Sequence, residues 1–107
     1  MLRRYNIRIR VNNETSTDPG IQKITGCSVL ETVELQHRNH PEERAIRFLD
    51  KEGRELDPDI LQAPVLISTQ ESDEAGAIAH HIQRALQEHY HIRDEDVQVV
   101  VCEYHRL

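Results

Sequence analysis

Residues 72–104 read SDEAGAIAHHIQRALQEHYHIRDEDVQVVVCEY, and their apolar period changes part-way. Ala75, Ile78, Ala79, Ile82, Ala85, Leu86 and Tyr90 recur at helical spacing and form one stripe. Ser72 or Asp73 suits the N-cap, where a side-chain oxygen accepts an otherwise unpaired backbone N–H. Asp73 and Glu74 complement the positive end of the helix dipole. The opposite face carries His80, His81, Arg84 and Glu88. The spacing predicts a helix that ends between His89 and Ile92. Arg93-Asp94-Glu95-Asp96 is a charged turn, and Val97 to Tyr104 follows as a strand. That strand is apolar on both faces, with Val97, Val99 and Val101 on one and Val100, Cys102 and Tyr104 on the other. Cys102 is expected in the core beside Val100. A strand of this kind is expected either in the middle of a sheet or in an interface.

Working back towards the N-terminus, the pattern is mostly that of strands. Val65 to Thr69 is a short apolar strand, expected to be buried on both faces. Asp57-Pro58-Asp59 turns the chain, with one helical turn through Leu61. Asp50-Lys51-Glu52-Gly53-Arg54 has the form of a tight hairpin with glycine in the left-handed position. Upstream of it, Ile46 and Phe48 alternate as in a strand, whereas Asn39, Pro41, Glu42 and Glu43 resemble a helix start. The hairpin is the favoured reading of residues 41–50, with helix as the alternative. His37 to Glu43 is a polar connection.

Val29 to Gln36 reads as a strand, with Val33 and Leu35 on one face and Thr32 and Glu34 on the other. Ile21 to Thr25 is expected as a short strand broken at Gly26, after a polar loop from Asn12 to Gly20. Tyr5, Ile7, Ile9 and Val11 alternate with Asn6, Arg8 and Arg10, the period-two signature of a half-buried strand. Antiparallel pairing of these two strands would let Glu31 and Glu34 face Arg8 and Arg10.

Together these elements predict a single α+β domain over 1–107. It has two layers: a mostly antiparallel sheet of about five strands, and one main helix from the C-terminal half packed on it. The chain ends in a strand. If strands 65–69 and 97–104 lie in one sheet and run parallel, their crossover is expected to be right-handed. A length of 107 residues fits one domain with one modest core. No apolar run approaches the ~20 residues that cross a bilayer. Arg3 and Arg4 are not followed by a signal-peptide apolar stretch. Two cysteines, Cys27 and Cys102, form no disulfide framework, so the expected compartment is the reducing cytoplasm. A net charge of −6 argues against direct nucleic-acid binding and against docking on anionic lipid.

The residues offer several chemistries and complete none. His37 and His40 have HxxH spacing, and His89 and His91 have HxH spacing at the helix end. They are the candidate metal ligands, because imidazole is the commonest metal-binding side chain. No zinc-module spacing joins them, and no cofactor is expected. Cys102, Glu103 and His105 are neighbours, but consecutive strand residues point to opposite sides. The strand–helix–strand unit resembles that of small isomerases that use an N-terminal proline as base. Pro64 stands before the strand but is internal, so it has no free amine and the base is missing.

The expected function is therefore that of a small non-enzymatic interaction or assembly module. It would act by self-association or by binding a partner protein, with Val100, Cys102 and Tyr104 in the interface. One alternative is an acidic inhibitor of viral or mobile-element type that blocks a nucleic-acid-binding partner. Its candidate surface is Glu42/Glu43, the Asp50–Asp59 stretch, Glu71/Asp73/Glu74 and Asp94/Glu95/Asp96. Another is a small histidine-based metal-binding or isomerase-like protein. Seven protonated histidines would bring the charge from −6 to +1. Solubility is expected to pass through a minimum near the isoelectric point of 5.6. A turbidity series from pH 8 to pH 4 checks it, and undiminished solubility at the minimum would contradict it.

Overall fold

The alternation of Tyr5, Ile7, Ile9 and Val11 with polar neighbours produces the expected strand, and all four apolar side chains enter the core. The computed structural model describes residues 2–34, 43–56, 65–66 and 74–104. Its strands are β1 (Leu2–Val11), β2 (Val29–Glu34), β3 (Glu43–Leu49), β4 (Glu55–Leu56), β5 (Val65–Leu66) and β6 (Val97–Glu103). Its helices are α1 (Pro19–Thr25) and α2 (Glu74–Tyr90). The sheet order is β4-β3-β2-β1-β6, and β5 also pairs with β3. Every pairing is antiparallel. β5 and β6 consequently run parallel to each other without pairing, joined by the segment that contains α2.

Register fixes the faces. Ile7, Ile9 and Val11 of β1 stand opposite Val101, Val99 and Val97 of β6, while Tyr5 stands opposite Leu30 of β2. Leu30 in turn faces Phe48 of β3, and Phe48 faces Leu56 of β4. These residues share one side of the sheet, and both helices cover that side. Ile78, Ile82 and Leu86 of α2 are completely buried there, with Ala75, Ala79, Ala85 and Tyr90 packed around them. The stripe read from the sequence is the face that enters the core.

The hairpin reading of the middle segment holds from Glu43 onward. Gly53 has φ +82°, and the Asp50 side chain accepts the N–H groups of Glu52 and Arg54, both at 2.9 Å. The last two residues of the expected strand to Gln36, the expected connection from His37 up to residue 42, the turn 57–61 and the part of the expected strand beyond Leu66 lie outside the described residues, as do the expected caps Ser72 and Asp73.

Four expectations are corrected. Ile21 to Thr25 is not a strand but most of α1. Asp18 caps it by accepting from Gly20 N at 2.8 Å and Ile21 N at 3.3 Å, and Pro19 occupies the first turn. Proline there loses no hydrogen bond and brings a helical φ. Ile21 and Ile24, one turn apart, both reach the core. Next, β6 is not central: β1 is, at ten residues long and bonded on both edges, and β6 lies at the edge of the described sheet. Cys102 is therefore exposed, not core, because Val97, Val99 and Val101 take the inward positions. Finally, Glu31 faces Arg4, not Arg8 or Arg10, with 3.6 Å between the charged groups. Arg8 and Arg10 stand opposite Val100 and Gln98.

α2 ends with a residue in the left-handed region. His91 has φ +54°, and Ile92 N–H reaches back to Gln87 C=O at 3.3 Å, with Ile92 buried. This is the Schellman arrangement, in which glycine is the usual residue at the turn. A side chain there costs about 1 kcal/mol. His91→Gly is expected to raise unfolding free energy by up to about 1 kcal/mol, less what glycine adds to unfolded-chain entropy. Urea denaturation checks the sign, and a loss of more than 1 kcal/mol would contradict it.

Candidate functional site

The outward side of β6 gathers the three residues the sequence put in an interface. Gln98, Val100 and Cys102 alternate with the inward valines, and Tyr104 follows the last residue of the strand. Val100 is 47% exposed and Tyr104 39%, and they are the exposed large hydrophobics of the described residues. Val100 stands opposite Arg8 and Cys102 opposite Asn6 on β1. Thr25 and Cys27, from the end of α1 and the chain after it, close the far side. Asn6, Arg8, Thr25, Cys27, Val100 and Cys102 are among the residues that line an open hollow of about 580 Å³. Arg8 and Arg10 are exposed beside it and make no ion pair among the described residues.

The hydrogen-bond parity of β6 follows from one contact. Asn12 N–H donates to Asp96 C=O at 2.8 Å. Along an antiparallel ladder such pairs recur every second residue. Hence Gln98, Val100 and Cys102 turn their backbone groups towards β1. Ile7 N–H, of the other parity, bonds Ser28 C=O on the β2 side at 3.1 Å. Val97, Val99, Val101 and Glu103 therefore aim N–H and C=O away from the sheet. No strand among the described residues pairs with that edge.

The histidine candidates are distributed otherwise. His89 and His91 are exposed at the end of α2, and the His89 ring meets the Tyr90 ring edge-on with centroids 4.7 Å apart. Glu88 lies 3.6 Å from Arg84. His37 and His40 lie outside the described residues. Among the described residues no three His, Cys, Asp or Glu side chains group as metal ligands do. Cys27 is buried, its thiol pushed up to about 11 by burial, so it stays protonated. Its Sγ lies 3.4 Å from the Val29 carbonyl.

Glu74, read from the sequence as a first-turn charge and as part of an acidic surface, is instead the hub of an ionic cluster. Its carboxylate accepts from Arg3, from the Tyr5 hydroxyl at 2.6 Å and from Arg44 Nε at 3.3 Å. Arg3, Tyr5 and Arg44 come from β1 and β3, so the cluster ties the start of α2 to the sheet. Burial pushes the Glu74 carboxyl up. The hydrogen bonds from Tyr5 and Arg3 and the charges of Arg3 and Arg44 outweigh it, leaving the group below its ordinary value. Burial, reinforced by Glu74, pushes the Tyr5 hydroxyl up to about 12, so it remains a donor. Only long-range pairing could have exposed this cluster, since Arg3 and Glu74 are 71 residues apart.

No protein family, curated protein or solved structure matches the chain.

A carboxyl lowered by folding contributes its full stability above its unfolded pKa, ~4.3 for glutamate. That contribution disappears as pH falls through the lower folded value. Glu74→Gln is expected to cost on the order of 3 kcal/mol at pH 7, because a neutral amide replaces the carboxylate that Arg3, Tyr5 and buried Arg44 share. The gap to wild type should shrink below pH 4. Denaturation of both proteins from pH 7 to pH 3 measures it, and a pH-independent gap would remove the electrostatic explanation.

Proposed function

We propose that this protein is a small non-enzymatic interaction module whose contacting element is β6. The observation that carries the reading is the coincidence, on β6 and the residue that follows it, of a backbone edge unpaired among the described residues with exposed Val100 and Tyr104. Edge strands are commonly protected by lysine, proline or bulges, because their free N–H and C=O groups recruit other strands. β6 contains no lysine, arginine or proline. Its one charged residue is Glu103, at its end. An apolar outer face beside an unprotected edge suits strand addition, in which main-chain bonds give affinity and alternate side chains give specificity. The reducing cytosol is the compartment this reading expects, where exposed Cys102 stays a thiol. Among the described residues no helix is long and apolar enough to cross a membrane.

The test is paired. Molar mass by light scattering over a concentration series is compared between wild type and the Val100→Asp/Tyr104→Asp variant, and so is the set of proteins each captures from lysate. Both side chains are exposed, so the variant should keep its fold, with unfolding free energy within about 1 kcal/mol of wild type. Association, with itself or with a partner, should weaken at least tenfold. Identical mass profiles and identical captured proteins would sink the reading.

A further inference from the structure

Resting on the reading that β6 is the contacting element, we infer that its partner is a second copy of this chain, paired antiparallel about a two-fold axis at Val100. The strand is self-complementary about that residue. In this register Val99 stands opposite Val101 of the second copy, and Val97 opposite its Glu103. These are the residues whose backbone groups point outward, so each such pair exchanges both of its N–H···O bonds. On the helix-covered side, the inward valine row continues from one copy into the next. On the other side, Val100 meets its own twin, and Gln98 meets Cys102.

The charges allow it. The two Glu103 carboxylates lie at opposite ends of the paired strands, roughly 20 Å apart at ~3.4 Å per residue. Three strand spacings of ~4.8 Å separate the two Arg8 residues. Both separations exceed the Debye length of ~8 Å at physiological salt. Glu103 does approach the second copy's Asp96, but Arg93 Nε already holds the Asp96 carboxylate at 3.1 Å. A foreign strand would need its own apolar and hydrogen-bonding match, whereas a second copy supplies one by symmetry. A contact of this type is isologous and closes as a dimer. One strand pair buries less than the ~1,200 Å² of a standard interface, so the dimer should dissociate on dilution.

Cysteine cross-linking reads the register directly. Val100 and its twin form a non-hydrogen-bonded pair with Cα atoms ~4.5 Å apart, within disulfide reach. Gln98 and Cys102 of the second copy form another. Two full-length variants are oxidised mildly and run without reductant: Val100→Cys with Cys102→Ser, and Gln98→Cys with Cys102 retained. Each should give at least tenfold more covalent dimer than wild type, whose Cys102 residues stand far apart. Gln98 is exposed, so its variant decides the matter should the first fail to fold. A concentration-dependent doubling of mass without cross-linking in either variant would overturn this pairing and leave self-association standing. A constant 12.5 kDa mass, with captured proteins still lost in the aspartate variant, would overturn the second copy and leave β6 as a site for a foreign partner.

Discussion

Everything in this fold is referred to the two-sided pairing of β1. A strand has two edges and two faces, and β1 uses all four. Its odd residues bond towards β2 and put Tyr5, Ile7, Ile9 and Val11 under the helices. Its even residues bond towards β6 and send arginines out the other side. A slip of one residue would exchange those faces, driving Arg8 and Arg10 into the core. The burial of the four apolar residues is what forbids that slip. Once β1 is fixed, the inward valines of β6 and the inward residues of β2 and β3 have no freedom left.

The second layer is held differently at its two ends. At its start, α2 is tied by a carboxylate shared among a tyrosine and two arginines. At its end, Tyr90 packs against α1, where a Cβ at Gly20 would collide with the tyrosine hydroxyl. Between them, Ile78, Ile82 and Leu86 supply the apolar contact. The polar tie adds direction to adhesion that is otherwise non-directional. Ridges of aliphatic side chains tolerate sliding, while a carboxylate between named donors does not.

What the sequence showed was whatever depends on local period. β1, α2 and the Gly53 hairpin each announce themselves within a dozen residues. Helix α1 did not, because Asp18-Pro19-Gly20 is equally good turn chemistry, and only two apolar residues follow before Gly26. For β6 the two apolar faces left two places open, the middle of a sheet or an interface, because sheet order is set by long-range register, which a single strand does not encode; the described sheet removes the first. The Glu74 cluster was invisible on the same ground. Of the candidate site, Val100, Cys102 and Tyr104 were legible as an apolar row. That Val100 and Cys102 line a hollow with Arg8 and Asn6 was not.

The ladder that joins β1 to β6 also governs how the chain reaches this state. Tyr5 pairs with Glu103, so the central strand acquires its last neighbour from almost the other end of the chain. Contacts of such sequence separation require closing a long loop before any bond repays the lost entropy. The β2–β3 and β3–β4 hairpins close short loops and form early by comparison. During that interval β1 presents an open edge lined by Ile7 and Ile9, and α2 has only part of its seat. Until β6 pairs with it, the edge that organises the finished sheet is a row of unsatisfied N–H and C=O groups, the kind of surface on which other chains add.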